Sequence, residues 1–128
     1  MRALLDTHAL LWALTEPRRL GRRARTFIEN PDNIRVVSAA SAWEIATKFR
    51  LGKLPQAQNV VREYSRHLIT FMAEELPVTS QHALAAGLWE TAHRDPFDRM
   101  LAAQCVVEGL ALVTNDSAMR EFAITTIW

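Results

Sequence analysis

Apolar and polar residues in this chain follow two periods, and the switches between them mark out the elements. Ala3, Leu4 and Leu5 form a continuous apolar run ended by Asp6, the pattern of a buried strand over residues 2–6. Residues 7–15 (Thr-His-Ala-Leu-Leu-Trp-Ala-Leu-Thr) read as a helix stopped by Pro17, and Leu20, Ala24, Phe27 and Ile28 keep helical spacing to about residue 29. Asn30-Pro31-Asp32-Asn33 makes a turn before a second strand, Ile34 to Val37. Ala42, Ile45, Ala46 and Phe49 line one face of the next helix, which ends near Gly52, and Val60, Val61, Tyr64, Leu68 and Phe71 trace another. Leu76 to Val78 is a short third strand, and Ser80 caps a helix carrying Ala83, Leu84, Gly87 and Leu88. Asp95-Pro96 opens a further helix, with an acid at the N-cap and proline at the first position, and Gly109 stops it. A strand over 110–114, a short helix through Phe122 and a last strand from Ile124 to Trp128 complete the chain.

Strands alternating with helices predict an α/β fold, a parallel sheet covered on both faces, and right-handed crossovers restrict its topology. No repeat, low-complexity tract or linker interrupts residues 1–128, so one domain is expected. At 49% hydrophobic residues, the chain can bury a full core. The only cysteine, Cys105, excludes an internal disulfide and agrees with a reducing cytoplasm. Its apolar helical surroundings make it a buried thiol rather than a nucleophile. Met1-Arg2 leads straight into a strand instead of a signal peptide, and no apolar run approaches the roughly 20 residues of a membrane span.

Net charge is only +1, which excludes a wholesale basic nucleic-acid-binding protein. The basic residues are nevertheless clustered: Arg18, Arg19, Arg22, Arg23 and Arg25 in one segment, Lys48, Arg50 and Lys53 in another. They are either solvated helix faces or basic shoulders beside an acidic centre.

That centre is suggested by four carboxylates. Asp6 and Asp116 follow apolar strand patterns, while Glu44 and Asp98 fall near the starts of helical patterns. In an open parallel sheet all four positions point toward the crevice at the carboxyl ends of the strands. Each acid has a structural explanation of its own. Asp6 and Asp116 suit N-caps, Ser41-x-x-Glu44 matches a capping box, and Asp98 lies in a first helical turn, where acids favour the macrodipole. A cap contributes about 1 kcal/mol. Two like charges 4 Å apart cost about 1 kcal/mol in water and about 4 kcal/mol at an effective dielectric of 20. If the acids converge, only a cation makes the cluster tolerable. An all-oxygen set without a His or Cys cluster points to Mg²⁺ or Mn²⁺.

Four blocks then carry a resemblance. Leu4-Leu5-Asp6-Thr7-His8-Ala9-Leu10-Leu11-Trp12, Ser41-Ala42-Trp43-Glu44-Ile45-Ala46, Asp95-Pro96-Phe97-Asp98-Arg99-Met100-Leu101-Ala102-Ala103-Gln104 and Leu112-Val113-Thr114-Asn115-Asp116 resemble the PIN-domain toxins of the VapC type, in the family's order. The resemblance implies a PIN-like α/β/α sandwich with a central parallel sheet in order 3-2-1-4-5. It implies an acidic quartet at Asp6, Glu44, Asp98 and Asp116 that ligates Mg²⁺ or Mn²⁺. It further implies an endoribonuclease that cleaves RNA by cation-activated water, a cognate antitoxin protein, a homodimer, and DNA contact only through the antitoxin. Asp98 is taken as the family acid and Asp95 chiefly as the N-cap.

Around that quartet, Thr7 and Thr114 are candidates to orient water or a carboxylate. Arg99 is a candidate for a substrate phosphate, with a salt bridge to a neighbouring acid as the alternative. His8 and His93 lie near site positions in sequence, but a bound cation makes a histidine base unnecessary. His67 and His82 read as helix-surface residues. Trp12 and Trp43 read as core, Trp89 and Trp128 being open to base stacking. Two other classes compete. A catalytically inactive PIN-like module that binds RNA or protein would not need all four acids. A phosphotransfer receiver would need an acid after its central strand and a late lysine, yet Leu76–Val78 is followed by Thr79-Ser80 and no lysine follows Lys53.

Overall fold

The computed structural model describes residues 1–128. Its strands are β1 (Arg2–Leu5), β2 (Ile34–Ser38), β3 (Glu74–Leu76), β4 (Ala111–Val113) and β5 (Thr126–Ile127). The helices are α1 (Thr7–Thr15), α2 (Arg22–Glu29), α3 (Ala39–Arg50), α4 (Gln58–Arg62), α5 (Tyr64–Thr70), α6 (Ser80–Leu88) and α7 (Pro96–Glu108), with short 3-10 turns that include Ser117–Phe122. The strands form one sheet, all parallel, in the order β3-β2-β1-β4-β5. The α/β alternation agrees with the sequence pattern, and the strand order is the one that the resemblance implies. No helix is long and apolar enough to cross a membrane.

The pleat explains why β1 reads as a continuous apolar run. Ala3 and Leu5 face one side, where they meet Val37, Val113 and the buried residues of α1 and α2. Leu4 faces the other, against Val36, Leu112, Leu101, Cys105 and Phe122. Sheets buried on both faces need apolar residues at every position, and β1 pairs on both edges, Leu4 lying level with Val36 and Leu112. Burial pushes the Cys105 thiol up to about 12, so it stays protonated as a core group. Gly109 ends α7 with φ +66°, the left-handed conformation that costs glycine least, and its amide and that of Leu110 both return to the Cys105 carbonyl.

Several boundaries differ from the sequence reading, each for a local reason. β3 lies at 74–76 rather than 76–78, because Pro77 cannot donate to a ladder. Its glutamates are tolerated on an edge strand, where Glu74 pairs with Arg2. The helix traced from Val60 to Phe71 is two helices, broken where Glu63 leaves helical geometry at φ −118° and ψ 33°. α3 begins earlier than its apolar face suggests, because Ser38 caps it by accepting from the Ala40 amide at 3.0 Å. Ser41 and Glu44 therefore lie inside the helix, and the Ser41–Glu44 capping box is not formed. A capping box exists instead at Thr79 and His82, opening α6.

The start of α2 is packed tightly against the end of the chain. A Cβ on Gly21 would lie 2.6 Å from Trp128 Cδ1 and 2.7 Å from its backbone carbonyl carbon. Trp128 in turn leans on Trp12 with ring centroids 5.7 Å apart. Gly21→Ala should therefore cost about 1–3 kcal/mol in denaturant unfolding and change tryptophan emission as Trp128 shifts off Trp12. An unchanged midpoint and spectrum would refute this packing.

Candidate active site

The carboxyl ends of β1 and β4 lie side by side, and the ladder between them continues one residue further, with the Asp6 amide donating to the Val113 carbonyl at 3.0 Å. Asp6 thus leaves the sheet beside the segment 114–116. It caps α1 by accepting from the Ala9 amide at 2.7 Å. Glu44 reaches the same place from the buried face of α3, Asp98 from the first turn of α7, and Asp116 from the N-cap of the 3-10 turn after β4. All four line one cleft of about 190 Å³ together with Thr7, His8, Lys48, Asp95 and Asn115. No hydrophobic residue lines it.

Each acid is held by its own donors. The Thr7 hydroxyl donates to Glu44 Oε1 at 2.5 Å and lies 3.2 Å from Ser41 Oγ. Lys48, one helical turn beyond Glu44, donates to Oε2 at 2.5 Å. His93 Nε2 sits 2.9 Å from Asp98 Oδ2, while its ring packs edge-on to Phe122 at 5.0 Å. Asp95 Oδ1 accepts from the amides of Phe97 and Asp98, and Asp116 Oδ1 from that of Ala118. The Thr114 hydroxyl is buried and accepts from the Asp116 amide at 3.0 Å.

Burial raises the Asp6 carboxyl above its ordinary value of 3.8, against the lowering pull of Thr114, the Ala9 amide and His8, and the Asp98 charge adds to the rise. Asp98 is raised as well, mainly by burial, with Asp95 and Glu44 adding repulsion and the His93 bond opposing it. Lys48 is lowered by burial, but the Glu44 bond and the charges of Glu44, Asp95 and Asp98 win and hold it above its ordinary value. The cleft is therefore an excess of negative charge with one ammonium in it. No group of three or more His, Cys, Asp or Glu side chains forms a finished metal-ligand set, because each acid is turned onto its own donor. The donors are hard oxygens in a polar cleft, which suits Mg²⁺ or Mn²⁺. Side-chain rotations would be needed to gather them.

Other candidate residues are placed differently from expectation. Arg99 is spent on the chain itself: Nε donates to the Ala86 carbonyl, Nη1 to His93 and Nη2 to Trp89, at 3.0, 2.8 and 2.6 Å. With three of its five N–H donors so engaged it braces the 86–93 segment and pairs with no acid. Trp43 is 64% exposed rather than core, because α3 turns Glu44 and Ile45 inward and leaves Trp43 against Phe97, ring centroids 4.8 Å apart. His82 is buried rather than on the surface, its Nε2 lying 2.7 Å from Glu108. Trp12 is partly buried, as expected, with the Arg19 guanidinium 4.7 Å above its ring. Trp89 packs on Phe122 and Trp128 on Trp12, so neither is free for stacking. Asp95 is both cap and cleft residue. Sequence reasoning missed Lys48 as a cleft residue, although its i,i+4 spacing from Glu44 was the available signal. Asn115 carried no signal beyond adjacency to Asp116.

Three comparisons bear on this arrangement. The PIN domain profile matches residues 3–124. Ribonuclease VapC22 of Mycobacterium tuberculosis is 30% identical over 122 residues, covering 91% of this chain and 88% of that protein. Among solved structures, VapBC2 from Rickettsia felis bound to a promoter DNA fragment superposes with TM-score 0.67 at 16% identity, covering 98% of this chain and 97% of its own. A toxin–antitoxin complex from Klebsiella pneumoniae gives 0.56 at 17% identity, with 94% and 90% covered. At those identities the structures speak for the fold.

The raised aspartates set a pH-dependent penalty. An acid whose folded-state pKa exceeds its unfolded value weakens the fold as pH climbs from about 3.8 through the folded pKa. In EDTA at neutral pH, Asp6→Asn and Asp98→Asn should melt above wild type, the gap closing as pH falls toward 3.8. Asparagine keeps the α1 cap, so Asp6→Asn isolates the charge. Lys48→Met should do the reverse. With Glu44 Oε2 left unpaired, it should lose about 1–3 kcal/mol in EDTA and gain more than wild type from added Mg²⁺. Thermal melts with and without Mg²⁺ check both.

Proposed function

The chain belongs to the PIN-domain family, and from that footing we propose that it is a Mg²⁺- or Mn²⁺-dependent endoribonuclease, the toxin of a toxin–antitoxin module. The observation that carries the proposal is the gathering of Asp6, Glu44, Asp98 and Asp116 into one cleft from four separate elements. Its kinship with Ribonuclease VapC22 supports the RNA substrate. Asp6, Glu44 and Asp98 are the residues we assign to hold a divalent ion, with Asp116 completing the site from its exposed rim. A bound Mg²⁺ or Mn²⁺ supplies Lewis-acid charge to a phosphoryl oxygen and lowers the pKa of a water ligand.

The chain's own residues do the positioning. Thr7 fixes the Glu44 carboxylate by a hydrogen bond to Oε1, and Thr114 stands beside Asp6 while accepting the Asp116 amide. His93 orients Asp98, and Arg99 holds the His93 carbonyl, so the acid's partner is itself held. Lys48 occupies Glu44 Oε2 and keeps the cation-free cleft from repelling itself apart. Attack by water at phosphorus leaves a 5′-phosphate and a 3′-hydroxyl, which separates this chemistry from an enzyme using the ribose 2′-hydroxyl.

The partner reading follows the solved neighbours, which are toxin–antitoxin complexes. An apolar groove of about 410 Å³ beside the cleft, lined by Trp43, Val78, Phe97 and Met100, is where we place an apolar segment of an antitoxin. DNA contact is assigned to that partner. A single PIN domain over 1–128, a homodimer and a cytoplasmic location complete the proposal.

Purified wild type should cleave total cellular RNA with Mg²⁺ or Mn²⁺, leave 5′-phosphates, and stop in EDTA. Asp6→Asn should lose about 10²-fold or more of the rate while melting no lower than wild type, so the loss cannot be unfolding. Cleavage that persists in EDTA or in Asp6→Asn would overturn the carboxylate account.

A further inference from the structure

A second polar hollow, of about 230 Å³, adjoins the acidic cleft, and the two share Asn115 and Asp116 as a common wall. Its character is different. Arg23 enters from α2 and Arg120 from the 3-10 turn after β4, with Ser117 and Thr126 adding hydroxyls. Three other arginines are committed to the fold: Arg35 binds the Ile28 and Phe71 carbonyls, Arg99 binds three carbonyls, and Arg2 pairs with Glu74. Arg23 and Arg120 make no side-chain hydrogen bond or ion pair within the chain, and both are exposed. The one acid on the shared wall, Asp116, has Oδ1 occupied by the Ala118 amide.

We propose that Arg23 and Arg120 form a phosphate subsite that holds the RNA backbone next to the scissile phosphodiester. The proposal rests on the ribonuclease reading of the adjoining cleft and adds the direction in which the strand leaves it. A phosphodiester chain approaching a cleft lined by Asp6, Glu44, Asp95, Asp98 and Asp116 is repelled along its whole length, and a cation at the centre relieves only the phosphate it touches. The neighbouring phosphate needs its own positive charge. Guanidinium groups suit it, since they stay charged, bind phosphate oxygens in pairs and are lightly hydrated. Continuity through Asn115 and Asp116 makes this hollow the next stop for any polymer lying in the cleft. Of the arginine-rich segment 18–25, only Arg23 lines this hollow.

The test compares Arg23→Gln, Arg120→Gln and the double variant with Arg62→Gln. Arg62 is an exposed arginine on α4 that lines neither hollow, so it removes the same charge elsewhere. Cleavage of a short, mixed-sequence, single-stranded RNA is measured with Mg²⁺, and binding of the same fluorescein-labelled RNA is measured in the Asp6→Asn background across a salt series. Each contact should contribute about 0.7 to the salt slope, so the double variant should lose about 1.4. KM should rise about tenfold in the double variant, with the loss carried in KM and not in kcat, because the contact is made in ground and transition states alike. A wild type that cuts RNA while the double variant keeps its KM and salt slope would overturn the subsite alone. An equal shift in Arg62→Gln would also overturn it, reducing the effect to net charge. A wild type that neither cuts nor binds RNA would overturn the ribonuclease reading and the subsite with it.

Discussion

The hydrogen bond from the Asp6 amide to the Val113 carbonyl is the last rung of the β1–β4 ladder, and the site depends on it. Ala3, Leu4 and Leu5 before that rung are apolar and buried, so β1 cannot slip along β4 without moving them out of register with Ala111, Leu112 and Val113. The residues directly after it are polar, Asp6, Thr7 and His8 on one segment and Thr114, Asn115 and Asp116 on the other. Two chain segments therefore leave the sheet together, one into Asp6 and α1, the other through Thr114 to Asp116, and the core enforces their proximity. The β-strand order supplies the rest, because β1 and β4 are neighbours only where the chain reverses its direction of travel across the sheet.

That enforced proximity works against the fold's own stability. Acids drawn into a crevice lose hydration and repel one another, which is why Asp6 and Asp98 are both raised. The molecule limits the cost with local donors rather than by separating the charges: an amide for Asp6, a hydroxyl and an ammonium for Glu44, an imidazole for Asp98. Lys48 is the one full positive charge among them, and its raised pKa reports how strongly the acids hold it. A site that is costly without a cation is what the proposed cation-dependent function would require.

Around the cleft the surroundings divide by chemistry. On one side, Trp43 and Phe97 border an apolar groove; on the other, Arg23 and Arg120 border a polar hollow. Both aromatic residues immediately precede a cleft acid, Glu44 and Asp98, so one helical step of about 100° separates an inward carboxylate from an outward ring. Arg99, the residue after Asp98, borders the apolar groove and ties down the carbonyls at 86, 89 and 93. Its role is to hold the segment that carries His93.

The sequence by itself determined the alternation of strands and helices, because a strand buried on both faces and an amphipathic helix have different periods. It also marked Asp6, Glu44, Asp98 and Asp116, because each lies at the end of a strand pattern or near the start of a helical one, and each within one of the four blocks that carry the resemblance. What it could not determine was which partner each side chain finds. Periodicity gives a face, not a neighbour: it left Trp43 looking like core, His82 like surface and Arg99 like a phosphate ligand. Tertiary structure decided otherwise, by turning Glu44 and Ile45 inward on α3, by setting Glu108 over His82, and by bringing the carbonyls of Ala86, Trp89 and His93 to Arg99. Those outcomes depend on groups far apart in the chain, whose meeting only the packed sheet and its crossovers bring about.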